Sequence, residues 1–102
     1  MEVSLQMMTV IVYDVNTSDP AGSKRLRRVA KACVDYGQRV QNSVFECVAD
    51  AATLAKVKHR LLDIIDLDKD SLRFYSLGNN YASKIEHYGT KRSYEAEGFI
   101  AL

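Results

Sequence analysis

The chain has 102 residues, with 14 Lys plus Arg against 13 Asp plus Glu, a formal charge of +1 and 47% apolar residue types. That length allows one domain and one core, and the composition is that of an ordinary globular chain. Two cysteines make no disulfide framework, near-zero charge excludes a polybasic tail, and no stretch approaches the roughly 18 apolar residues of a membrane helix. Met1-Glu2-Val3 has no basic leader region and the first apolar run stops at Asp14, so a reduced, cytoplasmic protein is expected.

Residues 1–6 carry no periodicity. Met7 to Tyr13 (MMTVIVY) is short, β-branched and apolar on both faces, which reads as a central strand ending at Asp14. Asn16-Thr17-Ser18-Asp19-Pro20 then supplies turn formers, an N-cap and a proline suited to a first helical position. A helix is expected from about Ser23 to Tyr36, with Leu26, Val29, Ala30 and Cys33 as its apolar stripe and Gly37 as a left-handed terminator. Lys24, Arg28 and Lys31 fall on the opposite face, with Arg25 and Arg27 on the flanks. Residues 39–41 and 44–48 flank Asn42-Ser43, either as two short strands around a turn or as one bulged strand. Asp50 caps a second helix, about 51–66, with Leu54, Val57, Leu61 and Ile64 or Ile65 inward. Ser71 to Leu77 reads as a last strand, stopped by Gly78-Asn79-Asn80.

The order β-α-β-β-α-β predicts an α+β, ferredoxin-like single domain over 1–102, with its core at about 7–78. Residues 79–102 are surplus to that plan. Within them Tyr81 to Tyr88 is weakly strand-like, and Phe99-Ile100-Ala101-Leu102 is an apolar end. Small domains seldom leave such a tail exposed, so it is expected to add a strand to a sheet edge in a homodimer.

Several familiar chemistries are missing. The glycines match neither a dinucleotide-binding turn nor a phosphate-binding loop. Asp66 to Ser71 starts like a calcium loop, but Ser71 stands where glycine is needed and Leu77 where the closing Glu belongs, leaving a solvated helix end. His59 and His87 have no Cys or Asp at zinc-ligand spacing and read as surface residues. Cys33 and Cys47 fall on apolar faces and read as core thiols.

Two constellations remain. Asp14 closes the central strand, at the carboxyl end where open sheets collect ligand groups. The plainer alternative is a loop-starting Asp that bonds nearby backbone amides. One carboxylate is too few for an enclosed metal site, but magnesium needs only one or two, completing its octahedron with water and substrate phosphate. Two Asp14 side chains meeting across a two-fold axis would satisfy it. The second constellation is basic: Lys24, Arg25, Arg27, Arg28, Lys31 and Arg39 stand against one acid, Asp35. Such a face is either simply solvated or a phosphate-backbone contact whose binding is salt-dependent and sequence-independent.

Tyr13-Asp14 closing the first strand, Arg27-Arg28-Val29-Ala30-Lys31 on the first helix and Gln38 to Glu46 (QRVQNSVFE) after it closely resemble one family. It is the small CRISPR-associated nuclease family, the second of the two core proteins of the spacer-acquisition machinery. Asp70 to Tyr81 (DSLRFYSLGNNY) resembles its type I, subtype C members, and the likeness covers 8 to about 90. The resemblance implies a ferredoxin-like homodimer whose C-terminal strands reach the partner's sheet, with Mg2+ or Mn2+ held between paired Asp14 residues. It also implies a metal-dependent endonuclease, acting on double-stranded DNA in subtype C relatives and on single-stranded RNA in others. The dimer would bridge two dimers of the CRISPR integrase partner protein.

Carried over position by position, Tyr13, Asp14, Arg28, Arg39 and Phe45 are the expected catalytic set, with Asp14 the metal ligand. Arg28 and Arg39 would steady transition-state charge, while Tyr13 and Phe45 shape the site more than they react. Lys24, Arg25, Arg27, Arg28, Lys31, Arg39 and Ser43 are the expected nucleic-acid contacts. The rival reading is a non-catalytic DNA-binding scaffold; a third is a ferredoxin-like interaction module related to toxin proteins, without nucleic-acid affinity. Six extra N-terminal residues and a longer loop over 16–22 depart from the family pattern.

Overall fold

The computed structural model describes residues 5–90. The elements run β1 (Met7–Asp14), α1 (Pro20–Tyr36), β2 (Gln38–Gln41), β3 (Val44–Ala49), α2 (Ala51–Ile64) and β4 (Ser71–Gly78). The strands make one antiparallel sheet in the order β2-β3-β1-β4, so the apolar β1 is central. This is the expected α+β, ferredoxin-like plan, with two strands rather than one bulged strand around Asn42-Ser43.

Register explains which side chains enter the core. Ile11 of β1 opposes Phe45 of β3 and Phe74 of β4. Thr9, Ile11, Tyr13, Phe45 and Cys47 are buried on one face, together with Val29, Ala32 and Cys33 of α1 and Leu54, Val57, Leu61 and Ile64 of α2. Residues alternate across a strand, so Val10, Val12, Val44, Glu46, Val48, Arg73 and Tyr75 point to the other face. Among the described residues neither helix covers that side, and Val48 and Tyr75 remain 40% and 45% exposed.

The caps follow the sequence. Asp19 accepts the Gly22 N–H at 2.8 Å with Pro20 behind it, which starts α1 earlier than the expected Ser23. Asp50 accepts the Thr53 N–H at 2.8 Å, and α2 closes at Ile64 rather than 66. On α1 the buried line is Gly22, Val29, Ala32 and Cys33; Ala32 is buried where the spacing predicts Ala30, which is half-buried.

Gly37 is not left-handed. Its backbone is extended (φ −151°), and glycine is needed because a Cβ would stand 2.6 Å from the Glu46 carbonyl oxygen of β3. Positive φ occurs instead at Gly78, +75°, where β4 ends, and at Gly89, +104°. Beyond it, Tyr81 to Tyr88 forms no strand: Ala82–Lys84 is a 3-10 turn, pinned where the Lys84 ammonium donates to the Leu77 carbonyl at 2.8 Å. Phe99 to Leu102 lie outside the described residues. No helix among the described residues is long and apolar enough to cross a membrane.

Candidate active site and nucleic-acid surface

β1 carries Tyr13 into the core and leaves Asp14 exposed at the strand end, paired in register with Ser71 of β4. Asp14 lines a shallow cleft of about 410 Å³ with Asn16, Asp68, Lys69, Asp70 and Ser71. No partner among the described residues claims its carboxylate. Nor do the described residues hold any group of three potential metal ligands.

Beneath the cleft lies Asp70, whose side chain is fully shielded from solvent. Arg25 grips it with both prongs, Nε to Oδ2 at 2.8 Å and Nη2 to Oδ1 at 3.1 Å. The same carboxylate accepts the Asn16 N–H at 3.0 Å and the Asp66 N–H at 2.8 Å. The Arg25 hydrogen bond, outweighing burial and helped by the two amides, holds the Asp70 carboxyl down at about 2. One expectation is corrected here: Asp66 to Ser71 is more than a solvated helix end. Arg25, expected among the nucleic-acid contacts, is placed inward on Asp70. The reason is a partner 45 residues away, beyond the reach of any helical periodicity.

Tyr13 and Phe45 are a buried aromatic pair, centroids 6.0 Å apart at 22°, with the Arg39 guanidinium 5.1 Å above the Phe45 ring. The Tyr13 hydroxyl donates to the Asn42 carbonyl at 3.4 Å, and its backbone N–H to the Ser43 carbonyl at 3.1 Å. Burial, with the Cys33 thiol beside it, pushes Tyr13 up to about 12, against the lowering pull of Arg39 and Ser43. The phenol is thus held neutral and buried in the core next to the strand end. Burial likewise pushes the Cys33 thiol up to about 12, and Cys47 is buried beside it, so both are core thiols.

Arg28 opens onto a different groove, about 400 Å³ between α1 and α2, with Lys31, Arg60, Asp63 and Ile64. That groove shares no lining residue with the Asp14 cleft, and Arg39 lines neither. Within one chain the expected catalytic arginines are therefore not gathered around Asp14. Lys24, Arg27, Arg28 and Lys31 are exposed and recur at i, i+3, i+4 and i+7, one outward stripe of α1. Lys31 leans on Asp35 at 3.4 Å, and Asp35 also takes Arg60 at 3.2 Å.

Two cations at these sites carry no sequence signal. Arg60 joins the α1 groove from α2, and Lys69 stands in the Asp14 cleft, 3.7 Å from Asp19. Each becomes visible only when two loops or two helices meet.

Residues 7–85 match the family model described as CRISPR-associated protein Cas2. The chain belongs to the Cas2 family. It is 59% identical over 96 residues to the CRISPR-associated endoribonuclease Cas2 of Nitratidesulfovibrio vulgaris, covering 94% of both chains. It is 58% identical over 91 residues to the CRISPR-associated endonuclease Cas2 of Halalkalibacterium halodurans, covering 89% of this chain and 95% of that one. The crystal structure of Streptococcus pyogenes Cas2 at pH 6.5 matches with a TM-score of 0.70 and 60% identity, covering 81% of this chain and 100% of that one. This Cas2 chain is thus a member of a nuclease family on a ferredoxin-like fold, and Asp14 is its exposed strand-end acid.

Proposed function

We propose that this Cas2 chain is a homodimeric, Mg2+- or Mn2+-dependent endonuclease of CRISPR spacer acquisition. Double-stranded DNA is its favoured substrate, single-stranded RNA the alternative, and the CRISPR integrase its protein partner. The observation that carries the reading is the Asp14 carboxylate: exposed, unclaimed, and at the end of the central strand in a chain 58% identical to an endonuclease.

The residues fit a hard divalent cation, since a carboxylate with no internal partner is the donor such an ion takes. Asp68 lies in the same cleft, but Asp14 alone closes the central strand, and in a two-fold dimer the twin Asp14 of the second copy would supply the second carboxylate. A metal held there supplies charge that acidifies a water and offsets the scissile phosphate. Lys24, Arg27, Arg28 and Lys31 hold the nucleic-acid backbone along α1. Lys69 meets a phosphate oxygen at the cleft, while Tyr13 and Phe45 pack in the core behind the strand end and fix its backbone.

Cleavage of end-labelled duplex DNA and single-stranded RNA with Mg2+ tests this, comparing wild type with Asp14→Asn. The variant is expected to lose about a hundredfold or more in rate on the substrate that the wild type cuts. Equal cutting by the two proteins would overturn the catalytic assignment. One feature supports a second reading, a DNA-binding scaffold: the Arg28 groove and the Asp14 cleft are separate surfaces. An Asp14→Asn protein that binds duplex normally and still supports spacer insertion would favour it.

A further inference from the structure

We propose that Arg25 and Asp70 are positioning residues for Asp14, a buried pair that fixes both walls of its cleft; the inference rests on the endonuclease reading. Asp70 joins three parts of the chain: Arg25 of α1, Asn16 of the loop after β1, and Asp66 of the loop before β4. Asn16 lies two residues beyond Asp14. Asp70 itself adjoins Ser71, which pairs with Asp14 across β1 and β4. Arg25 Nη2 also lies 3.4 Å from the Asn16 carbonyl oxygen, so Asn16 is held at both its N–H and its C=O. A Cβ at Gly22 would collide with the same carbonyl, which keeps α1 pressed onto this loop.

Stability alone is a weak reason for such a pair. Desolvation offsets much of the attraction, so a charged pair gains little over an apolar pair of the same volume, and what it adds while both partners are charged is fixed geometry. The geometry fixed here is that of the chain on either side of the candidate metal ligand. Every other cation of α1 outside this pair is exposed. Arg25 alone is turned inward, with a side chain 13% exposed. Its planar fork matches both carboxylate oxygens, which a lysine cannot do.

The test uses the full chain with Asp70→Asn, Arg25→Gln, Arg25→Lys and the double neutral variant. Three readouts are followed: duplex cleavage with Mg2+, amide hydrogen exchange without metal, and thermal unfolding. Asp70→Asn is expected to lower kcat about 10- to 100-fold while KM stays within about twofold. Amides of Asn16 and Asp66 should exchange faster while Phe45 in β3 keeps its protection. Arg25→Lys should recover part of what Arg25→Gln loses, and the double variant should be no worse than Asp70→Asn alone, because the pair acts as one unit.

Wild-type kcat in folded Asp70→Asn, or unchanged exchange at Asn16 and Asp66, would overturn the inference. So would exchange that accelerates equally at Phe45, which would mark a merely structural pair. Equal cutting by wild type and Asp14→Asn sinks the endonuclease reading instead; the pair's hold on the loops is then decided by the exchange data alone.

Discussion

Tyr13 and Asp14 are bonded neighbours with opposite chemistries, because alternation along β1 gives one to the core and the other to water. A phenol held neutral up to about 12 cannot serve as a base near neutral pH. Tyr13→Phe is therefore expected to keep cleavage within about twofold. It should lose no more than about 2 kcal/mol in urea unfolding, since the hydroxyl gives up a long hydrogen bond to the Asn42 carbonyl and one with the Ser43 side chain. A hundredfold loss of rate would instead make the hydroxyl a reactant. Asp70 gives a second prediction at this scale. Its carboxyl titrates at about 2 when folded against an ordinary 3.8, so the folded chain holds that proton less tightly than the unfolded one. The stability it contributes is complete above about pH 4 and is lost as pH falls through about 2. Asp70→Asn should flatten the acid limb of a Tm-against-pH curve, leaving the part due to Asp19, which the Gly22 amide also lowers. An unaltered acid limb would contradict the role given to Arg25.

At the scale of an element, α1 presents two kinds of cation. Lys24, Arg27, Arg28 and Lys31 face outward over about 10 Å of helix axis. Replacing all four with Gln should weaken duplex binding and flatten its log-log salt slope by about 0.9 for each phosphate no longer neutralised. Arg25→Gln should leave that slope unchanged, since its charge is already spent on Asp70. A titration across salt concentrations separates the two, and a slope unchanged by the fourfold replacement would reject the stripe. The difference between these cations marks where reading the sequence succeeds. Asp19-Pro20, Asp50, the alternation of β1 and the helical spacing of the stripe all act within a few residues, so they are legible without a fold. Asp14 is legible too, as an acid closing an apolar strand. What stays hidden is non-local. Gly37 is set by the close passage of Glu46, the burial of Ala32 by how α1 packs on the sheet, and Arg25 by an acid 45 residues away. The separation of Arg28 from Asp14 is likewise a matter of which surfaces the packed helices leave open.

For the whole molecule, the decisive feature is that both helices pack on one side of the sheet. Val10, Val12, Val44 and Val48 are left on the other, with Arg73 donating to the Tyr75 hydroxyl at 2.8 Å on the same face. A face so apolar, carrying both Glu46 and Arg73, suits an isologous contact with a second copy, which would also relieve the small core of an 11.5 kDa chain. Within the proposed function the dimer is a chemical requirement, because each chain offers one unclaimed Asp14. Subunit mixing measures that requirement. Wild type and Asp14→Asn are unfolded together, refolded in varied ratios and assayed on duplex DNA with Mg2+. If the two acids act jointly, a mixed dimer is dead and the rate follows the square of the wild-type fraction. If each chain cuts with its own Asp14, the rate follows that fraction linearly. A linear result, with dimers confirmed by sedimentation, would remove the shared metal and return the chemistry to a single cleft of Asp14, Lys69 and Asp68.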